Sequence, residues 1–110
     1  MAFKLVKRNK IAVTLKGALP DEDGKPVAFD FKLHCKRLSQ DEIDTAMKSR
    51  KGEVKGFIRD VAQGWEGVLD ELGAPVTFSA EVLDEQLNEA GMPVLMMQAY
   101  LEQVSATAKN

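Results

Sequence analysis

His34 and Cys35 are the only imidazole and the only thiol among the 110 residues, and they are neighbours. A cysteine beside a histidine is the raw material of nucleophilic catalysis, and both side chains ligate zinc. The run that carries them, FDFKLHC over residues 29–35, alternates apolar and polar, the pattern of a half-buried strand. Neighbours on a strand point to opposite faces, so the two cannot act together on one substrate or close on one metal. Cys35 falls on the apolar side with Phe29, Phe31 and Leu33, as a buried and inert thiol. His34 faces water between Lys32 and Lys36. No second histidine, CxxC, GxGxxG or Walker glycine loop accompanies them.

Carboxylates are the next candidates: Glu66, Asp70 and Glu71 near the single tryptophan, Trp65, then Glu81, Asp84, Glu85 and Glu89. Paired-carboxylate chemistry needs one acid with a raised pKa inside a pocket. Acidic helix surface accounts for these residues without it. The basic stretch Lys4, Lys7, Arg8 and Lys10 can meet phosphates, but it lacks interleaved aromatics for stacking. The expectation is a protein with no catalytic, cofactor or metal site, and nucleic-acid binding is disfavoured. The net charge of −2 conceals a polarity. Residues 1–60 hold 14 Lys and Arg against 9 Asp and Glu, whereas residues 61–110 hold 1 against 8. Either the halves face each other in the fold, or the polarity steers association with a partner or another copy.

The elements that must position these groups read as follows. Ile11, Val13 and Leu15 share one side of IAVTL, and GALPDEDGKPV between the two alternating runs is rich in turn formers. An antiparallel hairpin with one wet face is predicted, and Phe3 and Leu5 can add a short third strand. Its apolar face needs a cover. LSQDEI supplies the start of one: Ser39 and Glu42 are spaced as a capping box, with Leu38 and Ile43 as its hydrophobic staple. That helix is interrupted from Ser49 to Gly52. Val54, Phe57, Ile58, Val61, Ala62 and Trp65 then trace one stripe of a second helix. Trp65 ends the stripe and points to the same core as Phe57 and Val61.

Asp70 to Phe78 is a loop broken by Gly73 and Pro75, and Ser79 caps AEVLDEQLNEA, which Gly91 closes. Pro93 opens a last helix whose stripe is Val94, Met97, Leu101 and Val104, with Met96 and Tyr100 on an adjoining face. The architecture expected is α+β in one domain. A hairpin region (1–38, with two or three strands) is covered by about four short helices (39–110). A chain of this length buries roughly two-thirds of its unfolded surface. The N-terminus has no apolar h-region behind its basic residues, and no apolar run approaches the ~20 residues that cross a bilayer. A lone cysteine gives no internal disulfide, so the cytoplasm is the default.

Function then falls to surfaces. Met92, Met96, Met97 and Tyr100 gather on the last helix, and such residues suit adaptable partner contacts. Its apolar residues cover more than one stripe. One side is core, and the other is either a partner-binding face or further internal packing. Phe57, Val61, Trp65 and Phe78 form a structural corner.

The chain from about residue 27 onward resembles the small tail assembly chaperones of long-tailed bacteriophages and prophages. The resemblance is carried by Phe31-Lys32-Leu33, Arg37-Leu38-Ser39, Gly64-Trp65-Glu66-Gly67-Val68, Asp70-Glu71 with Gly73 and Pro75, Phe78-Ser79 and Ala99-Tyr100-Leu101. It implies a protein of the host cytoplasm, absent from the mature virion, that keeps the helical tape measure protein soluble and helps tail tube subunits polymerise around it. It also implies a longer frameshifted product that contacts the tail tube protein. Lys109-Asn110 is what AAA-AAC encodes, and an Ala108 codon ending in A would complete a slippery heptamer. Alternatives from other classes are a structural head or tail component of a phage particle and a small nucleic-acid-binding regulator.

Overall fold

The computed structural model of the chain describes residues 2–49 and 53–106. Strands β1 (Lys10–Pro20) and β2 (Pro26–Lys36) form the hairpin, in register from Lys10 opposite Lys36 to Pro20 opposite Pro26. Helices α1 (Gln40–Ser49) and α2 (Val54–Val61) follow, then strand β3 (Ala62–Glu66), α3 (Ala80–Leu87) and α4 (Met92–Val104). The fold is α+β, an antiparallel sheet of order β1-β2-β3 with four helices.

The third strand does not come from the N-terminus. Phe3 and Leu5 are 86% and 91% exposed in an arm without regular structure. Its source is the segment read as the end of the second helix. That helix stops at Val61, and Ala62 is already extended, with ψ at 132°. The free edge of β2 needs partners for its backbone groups, and Gly64 lowers the helical preference of the segment that supplies them. β3 pairs Glu66 with Lys32, Trp65 with Leu33 and Gly64 with His34, then skips Gln63 so that Ala62 meets Cys35. The extra residue is a β-bulge.

Period two along the hairpin sorts the faces as expected. Val13, Leu15, Leu33 and Cys35 are at most 1% exposed and form the core with Phe57, Ile58 and Val61 of α2, Leu83 and Leu87 of α3 and four residues of α4. Burial pushes the Cys35 thiol up to about 12, so it stays protonated and unreactive. On the wet face the His34 ring and a Glu66 carboxylate oxygen are hydrogen-bonded across β2 and β3 at 2.8 Å.

The helix starts follow their sequence signals. Glu42 N–H donates to Ser39 Oγ at 3.2 Å, and Ser39 N–H donates to Glu42 Oε1 at 3.0 Å, the reciprocal pair of a capping box. Ser79 Oγ likewise accepts from Val82 N–H. The interruption read from Ser49 to Gly52 lies mostly outside the described residues. The Ala108 to Asn110 frameshift reading falls outside them entirely.

The buried face of α4 is Met92, Met96, Tyr100 and Val104, one residue per turn, with none above 6% exposed. The stripe expected from Val94, Met97 and Leu101 is displaced, and Val94 is 51% exposed. This helix is apolar almost all round, so periodicity cannot choose its inner face. Tyr100 decides it, because a buried phenol needs hydrogen-bond partners. Its hydroxyl donates to Lys36 O at 2.8 Å and accepts from Leu38 N–H at 3.0 Å. Its ring meets Phe57 edge-on, with centroids 5.5 Å apart. Gln103 closes the outer edge of β1 by accepting from Thr14 N–H at 2.8 Å and donating to Thr14 O at 2.7 Å. A side-chain amide thus stands in for a fourth strand at that point.

Candidate functional site

The structural corner read around Trp65 is built from two sets of contacts. Phe57 and Val61 lie in the main core at 2% and 1% exposure. Trp65 is half-buried on the core face of β3, where its Nε1–H donates to Val76 O at 2.8 Å. Phe78 meets the indole edge-on, with centroids 5.0 Å apart and an 84° tilt. The ring therefore ties β3 to the strand-like approach of α3.

The partner surface read on the last helix is not a surface. Met92, Met96 and Tyr100 are 3%, 0% and 1% exposed, and Met97 is half-buried against the core. Met92, Met96 and Tyr100 share a four-residue spacing that suits internal packing equally well, and the core takes them. A surface contact through Met96 or Tyr100 would require the helix to leave the sheet.

Exposed apolar area lies elsewhere. The hairpin has 11 residues in each strand, and its apolar face is fully buried only toward its open end. Burial falls along that face of β2, from Cys35 and Leu33 at 1%, through half-buried Phe31 and Phe29, to Val27 at 54%. The uncovered part is the floor of a groove of about 420 Å³, walled by Leu19, Phe29 and Phe31 of the hairpin, Val68 and Leu69 of the following loop, and Met92. Asp30 and Gln86 are its polar lining. A smaller recess of about 230 Å³ adjoins it, sharing Leu19, Phe29 and Met92 and extending to Gly17, Ala90 and Leu95. Met92 is the one residue of the expected methionine cluster that lines the groove.

Two local features shape the backbone around this groove. A Cβ at Gly17 would stand 2.8 Å from Phe29 Cζ and 3.1 Å from Leu95 Cδ2, so glycine lets the Phe29 ring lie flat across the hairpin. The turns at the hairpin tip and beyond Leu69 are the same structure twice, encoded by DEDGKP at 21–26 and DELGAP at 70–75. In each, an aspartate Oδ1 accepts at 2.9 Å from the second and fourth N–H groups onward: Asp23 and Lys25 for Asp21, Leu72 and Ala74 for Asp70. In each, the fourth residue is a glycine at φ +81°, where other residues are strained. The shared D-E-x-G-x-P pattern was legible in the sequence as a signal for a second hairpin-like loop. The bridge between Leu69 and Pro75 confirms it. That loop carries Leu69 and Leu72, 58% and 93% exposed, at the groove rim.

A cleft of about 480 Å³ between α1 and α2 is another concavity, with Asp41, Glu42 and Asp60 in its walls. Its chemistry runs against general-acid work. The Ser39 N–H and then the Ser39 hydroxyl hold Glu42 below the ordinary carboxylate range, whereas an acid catalyst needs a raised value. No cluster of three or more His, Cys, Asp or Glu suited to a metal occurs among the described residues. None of the helices there is long and apolar enough to cross a membrane. The groove under the hairpin tip can bind apolar side chains, and its size falls within the ~300–1,000 Å³ of ordinary ligand pockets. The chain matches no model of a known protein family, no curated protein and no solved structure.

Proposed function

We propose that this protein is a phage tail assembly chaperone that holds an amphipathic helical segment of the tape measure protein in the groove beneath the hairpin tip. The observation that carries the reading is the half-covered apolar face. Phe29 and Phe31 are floored into a groove whose rim, Val27 and Leu69, is more than half exposed. An amphipathic helix presents apolar anchors every three or four residues to such a groove. Each groove is short, so single-site affinity is modest, and many copies along a long client give retention through avidity. The acidic second half keeps such a coat soluble and limits indiscriminate association. The chaperone then acts in the host cytoplasm and leaves before the particle is complete. The tail tube protein is the second partner, reached by a longer frameshifted product.

Co-expression with the tape measure protein encoded beside it tests the reading. The client should stay soluble and co-purify with the wild-type chain, and it should be lost with Leu69→Lys at the groove rim. Val94→Lys, on the outer face of α4, should retain it. Loss with Val94→Lys and retention with Leu69→Lys would move the contact to the last helix and refute the groove.

A further inference from the structure

We propose that, in the absence of a client, the groove receives the N-terminal arm of a second copy of this chain, which seats Phe3 and Leu5 against Phe29, Phe31 and Leu69. The inference shares the groove with the chaperone reading and adds what fills it when the protein is alone. It does not depend on the client's identity.

The arm is an apolar segment with no place on its own subunit. Phe3, Leu5 and Val6 are 86%, 91% and 56% exposed, an unusual concentration in so short a stretch. Its root is fixed at the open end of the hairpin, where Arg37 N–H donates to Asn9 O at 2.8 Å. The groove lies at the other end. An extended chain advances ~3.4 Å per residue, so Phe3 reaches about 20 Å from Asn9 and Leu5 about 14 Å. The level of Leu15, the near edge of the groove, is itself about 20 Å along β1 from Asn9, and that of Gly17 about 27 Å. α4 packs on β1 across the direct path. Lys7 lies near enough to Glu42 at the start of α1 to favour its charged form. The arm's own subunit leaves these side chains exposed, with Leu5 short of the groove and Phe3 only at its near edge when fully stretched, whereas a neighbour's groove can take both.

Charge agrees with apolarity. The arm brings Lys4, Lys7 and Arg8. The groove presents Asp30 in its lining, with Asp70 and Glu89 next in sequence to the lining residues Leu69 and Ala90. Alternating apolar and basic residues laid over a hydrophobic floor with an acidic rim satisfy both patterns together. The contact joins two different patches of the same chain, so it is heterologous and propagates unless two copies exchange arms. Client and arm then compete for one groove, and self-association falls as client is loaded.

Sedimentation of the purified protein alone tests this. Wild-type protein should associate reversibly with concentration, more weakly at high salt. The arm variant Phe3→Ser/Leu5→Ser and the groove variant Leu69→Lys alter only exposed side chains. Each should weaken association by at least about tenfold, since two apolar side chains lose their burial. Mixed together, the two variants should form a one-to-one dimer, because one supplies the groove and the other the arm. A monomeric wild type, an arm variant that associates as tightly as wild type, or a mixture that stays monomeric overturns the proposal. None of these results bears on client retention, which is scored in the separate co-expression.

Discussion

Tyr100→Phe removes one oxygen atom and tests whether the last helix is core or contact surface. The phenol bridges two backbone groups on either side of the exit from β2, the Lys36 carbonyl at 2.8 Å and the Leu38 N–H at 3.0 Å. Phenylalanine preserves the edge-on packing against Phe57 and leaves both groups without this partner. A fully buried orphan costs about 1–3 kcal/mol. Leu38 is half-buried and Lys36 is exposed, so water recovers part of the loss and the low end applies to each. The expected destabilisation is about 2 kcal/mol. In urea, with a slope of ~1–3 kcal/mol per molar for a small domain, the midpoint should fall by about 0.7–2 M with the slope unchanged. Leu38 is the staple residue ahead of α1, so hydrogen exchange should rise first in residues 40–49. A midpoint within about 0.3 M of wild type, in the same range of slopes, would refute the bridge. It would return Tyr100 to the surface role that its residue type suggests.

Three further predictions concern other parts of the fold. Cys35 is protonated in the native state up to about 12, whereas an unfolded thiol ionises near ~8.5. The unfolded chain therefore binds fewer protons between those values, and stability falls as pH rises through the window. The slope should be about 1.4 kcal/mol per pH unit steeper in wild type than in Cys35→Ala by denaturant titration, and equal slopes would contradict the burial. Trp65→Phe removes the donor to Val76 O and should cost about 1–3 kcal/mol in the same assay, and a neutral result would deny the corner its structural role. Ser39→Ala removes the hydroxyl that accepts from Glu42 N–H but keeps the backbone N–H that donates to Glu42 Oε1, so the Glu42 carboxyl should move only part of the way toward an ordinary glutamate by NMR. In wild type, the stabilisation linked to Glu42 is present at neutral pH and is lost as pH falls through its lowered value. An unchanged Glu42 titration in the variant would remove the Ser39 hydroxyl as a contributor and leave the backbone N–H alone as the cause.

Local chemistry in this chain is readable from the sequence wherever neighbours within a few residues decide the outcome. Period two placed Cys35 in the core and His34 outside it. The spacing of Ser39 to Glu42 marked a helix start, and Ser79 another. These are short-range arrangements that form in much the same way in any fold. What tertiary structure decided were the competitions. The segment after Val61 continues a helical stripe, yet it becomes β3 because the unpaired edge of β2 offers it a ladder of hydrogen bonds. The last helix is apolar almost all round, and a single phenol bonded to Lys36 and Leu38 marks which side is buried. That arrangement placed Met92 and Met96 inside and left uncovered apolar surface toward the hairpin tip, where the helices cover β1 and β2 less completely. Periodicity measures how apolar a face is, and only the assembled chain measures how much of that face remains uncovered.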